Sequence, residues 1–279
     1  RSIDARQRAL KVNLTMLTDE SGKPLPKDAP IPLYTAPHFK DVHNAKHSVA
    51  IIGAGPAGLF AALTLLEQGI KPIIFERGKE VSERKKDIAT LNRNQGLNTE
   101  SNYCFREGGA GTFSDGKLYS RSKKRGNMQR VMELFHHFGA SDTVLYEAHA
   151  HIGSDKLPSI IRAMRECIIQ HGGEIRFNSC VDAVLLRELM RDKKSLLGTI
   201  LAIGHSAHDT YQMLLDEGVL LENKGFAMGV RAEHPQTLIN RLMYHDPSEE
   251  LIRLIGNASY SLVTQVQGRG VYSFCMCPG

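Results

Sequence analysis

Three glycines at positions 53, 55 and 58, followed by an acid at 76, are the residues whose types and spacing promise chemistry. They lie in SVAIIGAGPAGLFAALTLLEQGIKPIIFERG, residues 48–78. Gly53 suits a tight turn, Gly55 admits a pyrophosphate against bare backbone, and Gly58 lets a helix pack close to a sheet. A helix starting near Pro56 aims free N–H groups and its positive dipole end at the same place. Pro56 fits a first-turn position, where its missing N–H costs nothing. Glu76 ends the run IIFE, 23 residues after Gly53. A carboxylate there can accept both ribose hydroxyls and would repel a 2′-phosphate. The pattern therefore describes a site for NAD or for the ADP half of FAD, and it disfavours NADP.

A second glycine-rich stretch, EGGAGTFSDGKL at residues 107–118, chooses between them. Its closely spaced glycines give a loop whose backbone N–H groups can converge on an anion, and Ser114, Asp115 and Lys117 add donors and charge. A nicotinamide dinucleotide has no need of a second phosphate loop here. FAD does, because its diphosphate, ribityl chain and ring all require contacts. Further along, LAIGHSAHD at 201–209 reads as an apolar strand ending at Gly204, with His205 as a candidate flavin neighbour and His208 as a surface residue. Lys117 and His205 are the candidates for tuning a flavin or moving a proton. The stretch GRGVYSFCMCPG at 268–279 holds Cys275 and Cys277. A redox dithiol, half of a metal site, thiols lining a pocket and inert buried thiols all remain open for that pair. His149 and His151 have no clear third ligand, so no metal site is expected.

The elements that must position these residues follow from periodicity. Residues 48–77 read as strand, helix, strand. Arg84–Leu91 has helical character with little apolar face, and Met128–Phe138 is amphipathic. LPSIIRAMRECIIQH, residues 157–171, is a stronger helix ended by Gly172-Gly173, after which EIRF reads as a strand. That order supplies another right-handed crossover onto one parallel sheet. The stretch after Val181 looks more helical than like a β-meander. Phe226–Ala232 and Tyr260–Val266 look like strands. The expected organisation is an N-terminal module remnant and proline-rich linker over 1–47, then a Rossmann-type α/β domain in two parts, 48–118 and 155–211. A connecting segment covers 119–154, and a partial substrate domain covers 212–279.

Composition sets the outer limits. The chain has 279 residues, 42% hydrophobic and 23% charged, enough for a sizeable core. No apolar run approaches the length of a membrane span. Net charge is +5, and the basic cluster Arg121–Arg125 comes with no motif that reads RNA or DNA. Nucleic acid is therefore not an expected partner; a small-molecule substrate is. Five scattered cysteines do not describe a secreted disulfide framework, so a reducing, cytoplasmic setting is expected. Arg1 at one end and CMCPG at the other suggest a piece of a longer chain.

These segments together resemble a family of bacterial, largely uncharacterised FAD-dependent dehydrogenases among the two-dinucleotide-binding-domain flavoproteins. The stretches that carry the likeness are RSIDARQR, VAIIGAGPAGLFAA, ESNYCFREGGAGTFSDGKLYSRSKKRG, HIGSDKLP, LAIGHSAHD, MGVRAEHP and GRGVYSFCMCPG. The resemblance implies FAD as cofactor, with NAD(P)H as a candidate electron donor. By analogy, Gly53, Gly55, Pro56, Ala57 and Gly58 would hold the pyrophosphate and Glu76 the adenosine ribose. Arg77 and Arg84 would lie near the adenosine and phosphates. Gly109, Ala110, Gly111 and Thr112, with Ser114, would approach the ribityl–flavin part. Val181 would meet the adenine through its backbone, and Gly204 would sit where the sheet touches the cofactor. The family continues past the position of Gly279 into a segment that closes the FAD site. The implied activity is hydride transfer between bound flavin and an organic substrate. A flavin-dependent nucleic-acid modifying enzyme and a non-catalytic flavin-binding redox sensor are the alternatives.

Overall fold

The computed structural model describes residues 34–93, 96, 107–109, 111–112, 116, 118, 126–146, 152, 156–192, 194–230, 232–273 and 276, and the side chains of these except 84–88 and 92. It divides into two compact units, residues 1–221 and 222–279.

The first unit is a parallel sheet between two helical layers. Its strands are β1 (Ser48–Ile52), β2 (Lys71–Phe75), β3 (Glu174–Arg176) and β4 (Leu196–Leu201), in the order β3-β2-β1-β4. β1 and β2 are joined by helix α1 (Pro56–Gln68), and every pairing in this sheet is parallel. This is the α/β Rossmann-like arrangement that the alternation of strands and helices implies. β1 reads as an unbroken apolar run because both of its faces are covered. Val49 and Ile51 join Leu59, Leu63, Leu66, Ile160, Met164 and Ile168 in one core. Ala50 and Ile52 join Phe75, Val181, Leu186 and Leu214 in the other.

The remaining helices of this unit are α2 (Val81–Asn92), α3 (Met128–His137), α4 (Thr143–Tyr146), α5 (Leu157–Gln170), α6 (Ala183–Arg191) and α7 (His208–Asp216). α1 ends at Gly69, whose φ of 76° places it in the left-handed region and lets its N–H close the last turn. α6 occupies the stretch after Val181, with the Asp182 side chain accepting from the Leu185 N–H at 2.8 Å to start it. The segment 34–47 has no regular structure, in keeping with its prolines, yet it is anchored. Val42 is fully buried, and its N–H donates to the His171 carbonyl at 2.7 Å.

The second unit contains α8 (Gln236–Tyr244), α9 (Glu249–Ile255) and a hairpin of β5 (Val263–Val266) with β6 (Arg269–Tyr272). Gln267 and Gly268 turn the hairpin with φ values of 50° and 75°, the positive pair that matches strand twist. Buried Asn240 holds this unit's loops: its Oδ1 accepts from the Ala258 N–H at 2.8 Å, and its Nδ2 donates to Asn257 Oδ1 at 2.9 Å. Two strand expectations are corrected here. Of Tyr260–Val266 only the last four residues pair, and the described residues of Phe226–Ala232 form no strand. Alternating apolar residues make a strand only where a neighbour accepts the backbone groups. Phe226, Met228 and Val230 instead stand exposed.

Candidate dinucleotide-binding site

The chain leaves β1 into the GAGPAG turn at the carboxyl ends of the strands, where β2 and β4 flank β1 on opposite sides. An open parallel sheet binds its ligand in such a crevice. Gly53 adopts a φ of 108°, and its N–H donates to the Phe75 carbonyl at 2.8 Å. A side chain is excluded there, since a Cβ would stand 2.4 Å from the Ala202 carbonyl oxygen at the end of β4. At Gly58 a Cβ would fall 1.9 Å from the Gly53 carbonyl oxygen. Gly55 differs from both. Its backbone is ordinary extended chain capping α1, and nothing lies within 4 Å of the space a Cβ would fill. Pro56 and Ala57, the first residues of α1, are exposed on the same side. The turn thus presents bare backbone and a helix N-terminus to open space, a fit to an anionic diphosphate.

Glu76 closes the other side. It is 4% exposed, and its two carboxylate oxygens accept from the backbone N–H groups of Ala54 and Gly78, each at 2.8 Å. Its carboxylate therefore braces the glycine turn as well as facing the crevice, a duty that spacing alone did not reveal. Phe75, Glu76, Arg77, Cys180, Val181 and Ile203 line a cleft of about 60 Å³ beside Gly53 and Gly55. Arg77 donates to Asp209 on α7 at 2.8 Å. Burial works against the Asp209 charge, but hydrogen bonds from Arg77 and the Thr210 backbone win and hold its carboxyl below the usual range. Gly204 has a φ of 72°, and its carbonyl accepts from the Tyr211 hydroxyl at 2.9 Å. His205 is exposed beside it, with Nδ1 3.0 Å from the Ser206 hydroxyl.

The second glycine loop docks on the first. The Gly108 N–H donates to the Ala54 carbonyl at 2.8 Å, and a Cβ on Gly109 would stand 2.8 Å from the Pro56 ring. Thr112 is buried, its hydroxyl donating to the Gly109 carbonyl at 2.9 Å. An apolar cavity of about 210 Å³ opens between this loop and α1, α3 and α5, lined by residues that include Pro56, Leu59, Phe60, Phe135 and Ile161. Gly111 belongs to the same lining. Ala110, Ser114 and Lys117 lie outside the described residues, as do Cys275, Cys277, His149, His151 and the basic cluster 121–125. Arg84 lies in α2, its side chain outside the described set.

The buried carboxylate beside the site that sequence reasoning missed is Glu107. It is fully buried, and its Oε2 accepts from the Val81 N–H at 2.6 Å and from Arg165 Nη1 at 3.0 Å. Arg165 also pairs with Glu80 at 2.7 Å. Burial pushes the Glu107 carboxyl up to about 7, against the pull of the Val81 N–H and Arg165 and with repulsion from Glu80 and Glu76 adding to the rise. The signal was available on α5. Arg165 sits in the apolar stripe of Ile161, Met164 and Ile168, and a charge inside a buried stripe calls for a buried partner.

Fold and cleft define a dinucleotide-binding α/β protein, and comparison with known proteins narrows the class. Residues 46–111 match the family described as FAD binding domain, and residues 225–279 match the one described as FAD-dependent protein, C-terminal domain-like. An uncharacterized protein of Clostridium beijerinckii is 43% identical over 238 residues, 82% of this chain and 44% of its own length. The dual trans-enoyl reductase/FAD-dependent monooxygenase of Aspergillus terreus is 60% identical over 35 residues, 12% of this chain and 5% of its own. Both matched families are FAD-dependent, and FAD is the cofactor they support for this chain. The chain spans under half the length of the Clostridium relative. Among the described residues no helix is long and apolar enough to cross a membrane.

Proposed function

We propose that this chain is the cofactor-binding part of a flavin-dependent oxidoreductase that moves a hydride between FAD and a small organic substrate. The observation that carries this reading is the joining of the two glycine loops by the bond from the Gly108 N–H to the Ala54 carbonyl. The cofactor in this reading runs along both loops, its adenosine end at the first and its flavin end at the second. In this reading Gly53, Gly55, Pro56, Ala57 and Gly58 take the diphosphate, and Glu76 faces the adenosine ribose. Val181 lies against the adenine, and the loop at Gly109–Thr112 takes the ribityl end. Bound there, FAD supplies two-electron chemistry that no side chain provides. The protein's own part is to orient the cofactor with fixed N–H donors and to keep water from its buried end. His205, beside the sheet end at Gly204, is the described candidate for holding or moving a proton; Lys117 is the other.

The visible spectrum of the purified protein is the first test, with flavin absorption bands expected. Anaerobic titration with NADH and NADPH then identifies the electron donor, and reoxidation in the presence of dioxygen separates a dehydrogenase from a monooxygenase. A protein that takes up no flavin under any condition refutes the reading. Unchanged flavin reduction and reoxidation in His205→Ala or Lys117→Ala removes that residue from a proton-handling role.

A further inference from the structure

Glu107 is placed to do more than fill the core. Its carboxylate is the point at which two helices, α2 and α5, meet the second glycine loop. The Val81 N–H at the start of α2 and the Arg165 guanidinium of α5 both donate to it, while the next residue, Gly108, bonds to the glycine turn at Ala54. Gly109 then packs on Pro56, the first residue of α1, so Glu107 lies two residues along the chain from a contact with the helix start that the proposed reading assigns to the diphosphate. Among the described residues, the charged groups facing it are Arg165 from α5, Glu80 preceding α2 and Glu76 from the end of β2. Ionised Glu107 adds a negative charge beside Glu80 and Glu76, with Arg165 opposing it, and protonation removes that charge. A bound diphosphate is itself a multiple anion, and in a water-poor setting its repulsion of a nearby buried carboxylate is strong.

We propose that Glu107 is a proton-linked positioning residue for the FAD site, taking up a proton as the diphosphate binds, so that FAD is held more tightly at lower pH. This rests on the reading of the cleft as an FAD site. The burial that pushes the carboxyl up to about 7 places the linkage within the range where the protein is handled. Linkage fixes the sign. A site that binds a proton more strongly when the ligand is present binds the ligand more strongly when protons are plentiful.

The test measures the FAD dissociation constant of the wild-type chain by quenching of flavin fluorescence from pH 6 to pH 8, together with proton uptake by calorimetry in two buffers of different ionisation enthalpy. The expected result is a constant that rises about three- to tenfold over that range, a tenfold coupling being one unit of pKa change, with uptake on the order of half a proton near neutrality. Glu107→Gln keeps the size and an acceptor oxygen for Val81 and Arg165. It is expected to hold FAD at pH 8 as tightly as the wild type does at pH 6, with a flat profile. A slope that remained in Glu107→Gln would report another group, such as His205 or His208, instead. A wild-type constant that is flat with no proton uptake overturns the proposal, as does the wild-type slope persisting in Glu107→Gln. Should that variant fail to fold, the double variant His205→Gln/His208→Gln tests the source instead: proton uptake that persists in it is expected, and uptake lost with the two histidines overturns the proposal. A wild type that binds no FAD at any pH refutes the FAD site itself, and the linkage with it.

Discussion

Two methyl groups added three residues apart should separate folding from cofactor binding. In Gly58→Ala the new Cβ falls 1.9 Å from the Gly53 carbonyl oxygen and 3.4 Å from Ile51 Cγ2. Relief requires the first turn of α1 to move off the sheet by more than about 1 Å in an interior packed like a crystal. Leu59, Ala62, Leu63 and Leu66 of α1 are all buried, so the whole helix resists that shift. Overpacking of this kind costs about 1–3 kcal/mol or more, and the roughly 1 kcal/mol gained by replacing a helical glycine offsets only part of it. A net loss of about 2 kcal/mol lowers the melting temperature by roughly 4–8 °C for a unit of this size. Gly55→Ala meets nothing within 4 Å and keeps an ordinary backbone conformation. Its stability should stay within about 1 kcal/mol of the parent, while in the proposed reading its methyl enters the space of the diphosphate and should weaken FAD binding by about tenfold or more. Thermal melting without FAD and flavin-fluorescence titration report the two effects separately. Gly55→Ala binding FAD like the parent, or Gly58→Ala melting like the parent, would refute the reasoning.

Other outcomes follow from the same geometry. Glu107 has its folded-state carboxyl raised to about 7 from an ordinary 4.5, so the native state binds the extra proton. Global stability should therefore rise as pH falls from about 7 towards 4.5, by roughly 3 kcal/mol at most for this group. Glu107→Gln should flatten that limb of a denaturant-midpoint profile. Burial pushes the Cys167 thiol up to about 11, so peptide mapping after iodoacetamide treatment at pH 7.5 should find it unmodified until the protein is denatured. Cys180 is exposed in the cleft, and added FAD should slow its alkylation. Asp209→Asn breaks the pair with Arg77, which is part-exposed and so screened. The cost by thermal melting should be below about 1 kcal/mol. Asp209 has its carboxyl lowered, so the wild-type contribution is present at neutral pH and lost as pH falls below the ordinary carboxylate range.

What could be read from sequence was what repeats with a period or has only one steric solution. β1, α1 and β2 announce themselves through apolar runs and through Gly53 and Gly58, where a side chain would clash, and Arg165 marks itself by standing in an apolar stripe. Long-range partnerships were not legible. Nothing in IIFE says that the Glu76 carboxylate accepts the N–H groups of Ala54 and Gly78, because those donors are set by the turn's conformation rather than by side-chain type. Likewise Phe226–Ala232 alternates like a strand, but a strand is a property of a pair, and the sequence of one member does not reveal whether the other exists.

The bond from Gly108 to Ala54 joins positions 54 residues apart, and Glu107 reaches a further 58 residues to Arg165. The chain must therefore close two long loops before the cofactor surface exists, and both closures cost entropy that local structure does not return. A ligand that touches both glycine loops binds only the closed form. In the proposed reading FAD is such a ligand and acts as a removable cross-link, so added free flavin should raise the share of the chain held in its finished state.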